Sequence, residues 1–191
     1  LGDVYKRQQK GVATVLTQVE VDRSDPAFQN PTKPIGPFYT EEQAREIMAA
    51  EPDKVFVDDS GRGWRRVVAS PEPKKIVEAD SILNLLDNEF IVIACGGGGI
   101  PVMEQGYNLR GASAIIEKDL ATGLLAKETD ADVMMILTSV DNVTLNYGTD
   151  HEEPIKNMTI DQAKDYISQG QFEFASMLPK ISASVDFLEC G

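Results

Sequence analysis

The segment FIVIACGGGGIP, residues 90–101, is the most informative part of the chain for the fold class. Phe90–Cys95 is a continuous apolar run, which is typical of a strand that is buried on both faces of a sheet. Four glycines, Gly96–Gly99, follow it directly. In an open parallel sheet, ligands bind beyond the carboxyl ends of the strands, where backbone N–H groups can approach an anion closely. The segment therefore predicts a parallel α/β sheet with a glycine turn at a possible binding edge.

Helical and strand patterns alternate on both sides of this segment. A helix is expected at about Asp80–Asn88, where leucine and isoleucine form one broad apolar face. Further strands are predicted at Ser113–Ile116, Asp132–Thr138 and Val143–Tyr147, and further helices start near Asp119 (as a cap), at the Thr159–Gln162 capping box and at Pro179. This alternation predicts an α/β fold with a mostly parallel sheet sandwiched by helices.

The first part of the chain has a different character. Gly11–Val21 predicts a strand, and the four prolines of Ser24–Phe38 predict a long, stiffened loop. A capping box at Thr40 and Gln43 predicts a helix to Ala50, and Val55–Val57 and Trp64–Val68 flank a glycine-rich turn, which predicts a hairpin. We therefore expect a small protruding subdomain at about 24–73 within a domain of residues 11–191. Leu1–Gln8 fit no pattern, and residues 1–10 are assigned to a sequence scar or left unassigned.

Composition narrows the class of protein. The chain has 191 residues, of which 42% are hydrophobic, enough for the core of one domain. Its 18 Lys and Arg against 31 Asp and Glu give a net charge of -13, which argues against nucleic-acid and anionic-membrane partners. No apolar run reaches the roughly 20 residues of a membrane span. Two cysteines favour a reducing, cytoplasmic compartment, and the single His151 excludes an all-histidine metal site.

Four elements of the sequence could carry chemistry, namely the Gly96–Gly99 turn, Lys118 with Asp119, Lys180, and Lys33. Each has an ordinary structural explanation when taken alone: a connecting turn, a solvated loop with a helix cap, a surface lysine, and a solvated loop. The glycine turn matches neither a P-loop nor a dinucleotide fingerprint. Together, however, three lysines, one carboxylate and a glycine turn are what phosphoryl transfer needs, because the charge of the moving group must be neutralised.

Five segments, in this order, resemble the carbamate kinase family of the amino-acid kinase superfamily. They are DPAFQNPTKPIGPFY (25–39), IACGGGGIPV (93–102), EKDLA (117–121), LTSVDNV (137–143) and SMLPK (176–180). The resemblance covers about residues 11–191. The first segment is the most specific, because sister kinases for acetylglutamate, aspartate or UMP lack it.

The resemblance implies an amino-acid kinase-like fold and an ATP-dependent phosphotransferase. The reaction would interconvert ATP plus carbamate with ADP plus carbamoyl phosphate, usually towards ATP in arginine fermentation by the arginine deiminase pathway. It also implies Mg²⁺ with the nucleotide and a cytoplasmic homodimer. No protein-built metal site is expected.

The resemblance also implies roles for individual residues. Lys33 would reach into the site from the subdomain, Lys118 and Lys180 would contact the transferred phosphoryl group, and Asp119 would orient the lysines. The Gly96, Gly97, Gly98 and Gly99 turn would lie beside the substrate. The nucleotide would be bordered by Thr138, Asp141, Val143, Met177 and Pro179.

The chain departs from the family pattern in three ways. It lacks the amino-terminal Gly-Gly-Asn and Gly-Asn loops that cradle phosphates, and the family continues beyond Gly191. We therefore expect an internal or carboxyl-terminal fragment with little activity of its own. Ala175 stands where glycine is usual, and Thr144 stands where an aromatic residue is common. Two alternatives stay open: another amino-acid kinase, or a non-catalytic nucleotide-binding or oligomerisation module.

Overall fold

The computed structural model describes residues 10–59, 61–174 and 176–190. These residues contain eleven strands and five α-helices. The strands are β1 (Val12–Thr14), β2 (Gln18–Val21), β3 (Lys33–Tyr39), β4 (Val55–Asp58), β5 (Trp64–Val68), β6 (Pro73–Ile76), β7 (Ile91–Ile93), β8 (Ile100–Gln105), β9 (Asn108–Gly111), β10 (Val143–Leu145) and β11 (Glu153–Ile155). The helices are α1 (Glu41–Ala50), α2 (Ala79–Asp87), α3 (Lys118–Glu128), α4 (Ile160–Ser168) and α5 (Met177–Leu188). The predicted α/β class is confirmed.

The strands of the described residues form four sheets. Their orders are β6-β2-β8-β9, β3-β5-β4, β1-β7 and β10-β11. The pairs β1–β7 and β2–β8 are parallel. The antiparallel pairs are β2–β6, β3–β5, β4–β5, β8–β9 and β10–β11. The parallel pairs flank the glycine turn, because β7 ends just before it and β8 begins just after it.

The strand predicted at Gly11–Val21 is divided into β1 and β2, which belong to different sheets. The physical reason is that β1 pairs with β7 and β2 with β8, so this strand must break where the glycine turn separates its partners. Buried Thr17 holds the break. Its hydroxyl donates to the carbonyl of Val15 at 3.0 Å and accepts the N–H of Cys95 at 2.8 Å.

The prediction of a loop over the whole of Ser24–Phe38 is wrong at its end, because Lys33–Tyr39 forms β3. This strand tolerates Pro34 and Pro37 since it lies at the edge of its sheet, where one side needs no N–H donors. Its pairing with β5 is also interrupted between Ile35 and Tyr39. The predicted helix and hairpin are confirmed as α1, β4 and β5.

Two predicted strands are absent from the described residues. Residues 132–138 do not pair with any strand, and alternate side chains point outwards, with Val133, Met135 and Leu137 all exposed. An apolar run alone does not make a strand, because the backbone needs a hydrogen-bonding neighbour. Residues 113–116 form only one bridge, between Ala114 and Ala69. The strand at 90–95 is shorter than predicted, and Ile93 is not buried.

Three of the four helix starts predicted from capping residues and prolines agree with the structure. Capping boxes at Thr40 and Thr159 are both formed, and Pro179 lies in the first turn of α5. Asp119, however, is not the cap of α3. Glu117 occupies the cap position, and Asp119 lies inside the first turn, where its charge favours the helix dipole.

Two apolar clusters form the core of the described residues. One surrounds Val19, Ile76, Ile82 and Ile116 beneath the mixed sheet. The other joins α4 and α5 to β10 through residues that include Leu145, Ala163, Phe172, Ile181 and Val185. In the part of the chain that is described, no helix has both the length and the apolar character to cross a membrane.

Candidate functional site

The backbone brings Lys33 beside the segment that precedes α3. Lys33 of β3 pairs with Val68, the last residue of β5. The residue that follows β5, Ala69, forms a bridge with Ala114. The N–H of Ile115 donates to the carbonyl of Ala69 at 3.0 Å. Glu117 follows two residues later, so its carboxylate comes within reach of the Lys33 ammonium group.

Glu117 is a buried carboxylate that binds two lysines. Its Oε2 accepts a hydrogen bond from Lys33, and its Oε1 accepts one from Lys118 at 3.3 Å. Burial raises the pKa of Glu117, but the two lysines outweigh this effect and hold it below its ordinary value. Burial conversely lowers the pKa of Lys118, and the carboxylates of Glu117 and Asp119 outweigh that effect and raise it. Both Glu117 and Lys118 are therefore held in their charged forms.

Helix packing brings Asp119 to Lys180. Gly123 of α3 lies against Ala183 of α5 so closely that a Cβ on Gly123 would sit 3.2 Å from the Cβ of Ala183. Asp119 and Lys180 each lie one turn before this contact. The Lys180 ammonium donates to Asp119 Oδ2 at 2.8 Å, and Lys118 approaches the same oxygen at 3.4 Å.

Five charged groups thus alternate in a continuous chain, which we call the lysine–carboxylate chain. Its order is Lys33, Glu117, Lys118, Asp119 and Lys180. The two carboxylates are only 9% exposed, whereas the Lys118 side chain is 61% exposed. Because three cations face two anions, the lysine–carboxylate chain carries one unbalanced positive charge. Such a cluster can attract a phosphoryl group and neutralise charge that develops on it.

The glycine turn packs against Ile116, which immediately precedes Glu117 of the lysine–carboxylate chain. Gly98 adopts φ of 109°, and a Cβ on it would collide with the carbonyl oxygen of Ile116, the residue before Glu117. Gly99, at φ of 87°, leaves a Cβ only 2.5 Å from Val19 Cγ2. By contrast, a Cβ on Gly96 or Gly97 would meet open space. Two glycines therefore permit close packing, and the other two border open space.

A cavity of about 210 Å³ adjoins the lysine–carboxylate chain at Lys180. Of the predicted nucleotide-bordering residues, Thr138 and Met177 line it, as does Thr144. Asn142 and Ser176, which belong to the motifs at 137–143 and 176–180, also line it, as do Tyr147 and Phe172, which the sequence did not indicate.

Three predicted nucleotide contacts do not line this cavity. Asp141 is exposed, and Val143 packs against the apolar cluster between α4 and α5. Pro179 instead lines a second cavity of about 220 Å³, together with Lys33 and Glu117. Ala175, the predicted departure from the family pattern, lies outside the described residues, as do residues 1–9 of the proposed scar.

Glu117 is the site residue that sequence reasoning missed. It belongs to the motif EKDLA (117–121), and its position next to Lys118 and Asp119 is a usable signal. The structure brings together all four predicted elements, namely Lys33, Lys118 with Asp119, Lys180 and the glycine turn. Among the described residues, no three His, Cys, Asp or Glu side chains form a group that could hold a metal ion.

Comparison with known proteins places this geometry in context. The amino acid kinase family pattern matches residues 34–191. Carbamate kinase 2 of Staphylococcus aureus is 49% identical over 180 residues, which are 94% of this chain and 58% of that protein. The carbamate kinase of Thermococcus kodakarensis is 50% identical over 183 residues, 96% of this chain and 58% of that protein.

A solved structure gives the same result. Giardia lamblia carbamate kinase bound to AMP-PNP superposes with a TM-score of 0.85 at 42% identity, covering 98% of this chain and 59% of that one. The chain thus spans less than two thirds of the length of these relatives. The resemblance to carbamate kinases and the expected amino-acid kinase fold are both confirmed.

Proposed function

Because the chain belongs to the amino acid kinase family, we propose that it provides the phosphoryl-transfer site of a carbamate kinase. In this reaction a carbamate oxygen forms a bond to the γ-phosphorus of ATP, and the bond from that phosphorus to the β–γ bridging oxygen breaks. ADP leaves with the electron pair, and carbamoyl phosphate is the product. In the reverse direction, ADP takes the phosphoryl group from carbamoyl phosphate and forms ATP.

One observation carries the proposal: Lys180 belongs both to the lysine–carboxylate chain and to the wall of the 210 Å³ cavity. A nucleotide in the cavity would point its phosphates towards Lys180, and hence towards Lys118 and Lys33. The transferred group carries charge that is spread over its oxygens, so cations held in place before the reaction are the main protein contribution.

We assign the roles accordingly. Lys118 and Lys180 contact the transferred phosphoryl group, Asp119 orients both of them, and Lys33 contacts the carbamate side. The glycine turn borders the small substrate, since Gly96 and Gly97 face open space and Gly98 lies against the carbonyl of Ile116, the residue before Glu117. Thr138 and Met177 contact the nucleotide within this cavity, and Asp141, Val143 and Pro179 stay proposed nucleotide contacts outside its lining.

The wider biological setting is part of the same proposal. Mg²⁺ would arrive with the nucleotide phosphates, because the site carboxylates are already engaged by lysines and do not fit a protein-built metal site. Two free cysteines are compatible with a reducing cytoplasm. A homodimer and a role in arginine fermentation rest on the resemblance to carbamate kinases.

The test is carbamoyl phosphate-dependent ATP formation from ADP. The chain is assayed as it stands, and also joined to the segments of the Thermococcus kodakarensis enzyme that it does not cover. We expect the joined protein to form ATP and to lose this activity in Lys118→Ala and Lys180→Ala. Activity with acetylglutamate or aspartate instead would favour another amino-acid kinase. Nucleotide binding without any transfer would favour a non-catalytic module.

A further inference from the structure

Glu117 has no role in the proposed reaction, yet it connects two separate parts of the fold. It lies at the start of α3, Lys33 comes from the edge strand β3, and its second partner Lys118 is the first residue of α3. Each carboxylate oxygen accepts from a different lysine. The backbone brings Lys33 to the site, and Glu117 binds its ammonium group there.

A carboxylate with two cationic partners can release one of them. Leaving a buried charge without any partner is strongly destabilising, but Glu117 would keep Lys118 if Lys33 moved away. The ion pair between Lys33 and Glu117 also borders the cavity of about 220 Å³, so the lysine side chain has open space beside it. Lys33 is 28% exposed, whereas Glu117 is 9% exposed, which makes the lysine the partner that is free to move.

A phosphoryl group offers Lys33 an alternative partner. Phosphate oxygens carry more charge than one carboxylate and form strong charge-assisted hydrogen bonds with ammonium groups. Binding of such a group near Lys118 and Lys180 would therefore compete with Glu117 for Lys33.

We propose that Glu117 is a positioning residue, which holds Lys33 in the site while the phosphoryl position is empty and releases it to the phosphoryl group when one binds. This inference rests on the proposed function for the identity of the ligand. The exchange itself is a property of the lysine–carboxylate chain, and inorganic phosphate can probe it in the absence of any reaction.

The first experiment uses the 191-residue chain and measures its affinity for inorganic phosphate by calorimetry. Glu117→Gln removes the competing charge, so we expect phosphate to bind about two- to fivefold more tightly, the effect of one screened ion pair. Lys33→Ala should weaken binding. In the double variant, Glu117→Gln should no longer tighten binding to the same extent, because the lysine that it frees is absent. Unchanged or weaker phosphate binding by folded Glu117→Gln overturns the proposal.

A second measurement uses the unmodified chain and does not depend on the folding of a variant. Carbon-13 spectra of labelled glutamate report each carboxylate, and phosphate should shift the Glu117 signal as Lys33 leaves. Glu128 is the matched control, because it is a partly buried carboxylate that accepts from the backbone N–H of Ile76 and, among the described residues, from no lysine. Absence of a phosphate-dependent shift at Glu117, or an equal shift at Glu128, contradicts the release step.

Kinetics of the joined protein separate positioning from a merely structural role. Glu117→Gln should lower kcat by about 10²-fold, the typical cost of misplacing a group in the site, while KM for carbamoyl phosphate falls or stays unchanged. Glu117→Asp, which keeps the charge, should recover part of kcat. If the joined protein is inactive but the phosphate results hold, the proposed function fails and the positioning role stands. If it is active and Glu117→Gln keeps kcat, the positioning role fails.

Discussion

The ammonium group of Lys180 lies 2.8 Å from Oδ2 of Asp119, although 61 residues separate the two in sequence. The contact follows from the packing of Gly123 on Ala183, which sets α3 and α5 side by side with their first turns adjacent. Asp119 accepts from Lys118 as well. One carboxylate therefore fixes two of the three lysines that we assign to phosphoryl transfer.

Replacing either of these lysines should affect the reaction more than substrate binding. We expect Lys118→Ala and Lys180→Ala in the joined protein to lower kcat by about 10²–10³, since charge is needed most in the transition state. Lys33→Ala should also weaken the use of carbamate. Lys164→Ala is the matched control, because Lys164 pairs with Glu189 away from the site. Near-normal kcat in both Lys118→Ala and Lys180→Ala would show that the phosphoryl roles are misassigned.

The glycine turn should divide into essential and tolerant positions. Gly98→Ala introduces a Cβ that collides with the backbone of Ile116 at a left-handed φ, so we expect a loss of at least about 2 kcal/mol in the free energy of unfolding. In Gly96→Ala the new Cβ meets open space at an ordinary φ, so the free energy of unfolding should change by less than about 0.5 kcal/mol. Urea unfolding of both variants measures the difference. Equal losses would contradict the packing of the turn on Ile116.

Glu117 should stabilise the fold in a pH-dependent way. Its pKa is lower in the folded chain than its ordinary value of 4.5, because Lys33 and Lys118 outweigh the effect of burial. The folded chain therefore prefers the ionised form, and the stabilisation is present above pH 4.5 and is lost as pH falls through the folded pKa. The difference in unfolding free energy between the unmodified chain and Glu117→Gln should shrink with acidification. A difference that grows below pH 4.5 would mean that the sign is wrong.

Glu128 should behave in the opposite way. Burial raises its pKa above 4.5, and Asp80 adds to this, although the N–H of Ile76 and the charge of Lys75 act against it. The folded chain therefore resists ionisation of Glu128, and stability is lost as pH rises from 4.5 through the folded pKa. Glu128→Gln should gain stability relative to the unmodified chain over this rise. Urea unfolding of Glu117→Gln and Glu128→Gln over the same pH series should show that their stability differences from the unmodified chain change with pH in opposite directions.

The two cysteines should differ in reactivity. Burial raises the pKa of Cys95 to about 11, which leaves almost no thiolate near neutral pH, whereas Cys190 is exposed. Iodoacetamide should therefore modify Cys190 and spare Cys95, as judged by peptide mass spectrometry. Both should react in urea, which serves as the control. Rapid labelling of Cys95 in the folded chain would contradict its burial beneath the Thr17 contact.

Local sequence signals predicted the parts of the fold that depend on neighbouring residues. The capping boxes at Thr40 and Thr159 form as expected, since a cap needs only one turn of chain. The β4–β5 hairpin also forms as expected. By contrast, the apolar run at 132–138 does not pair, and the proline-rich segment contributes an edge strand, because pairing depends on which strands lie alongside.

The same division applies to the candidate site. The residue types and their order along the chain were enough to identify three lysines, one aspartate and a glycine turn, and to recognise the family, because these features reside in short contiguous motifs. Sequence alone could not show that Glu117 binds both Lys33 and Lys118, or that Lys180 joins a cavity to this chain of charges. Those contacts arise where β3, α3 and α5 meet, and the distance between two charges is set by how helices and strands pack, not by their separation in sequence.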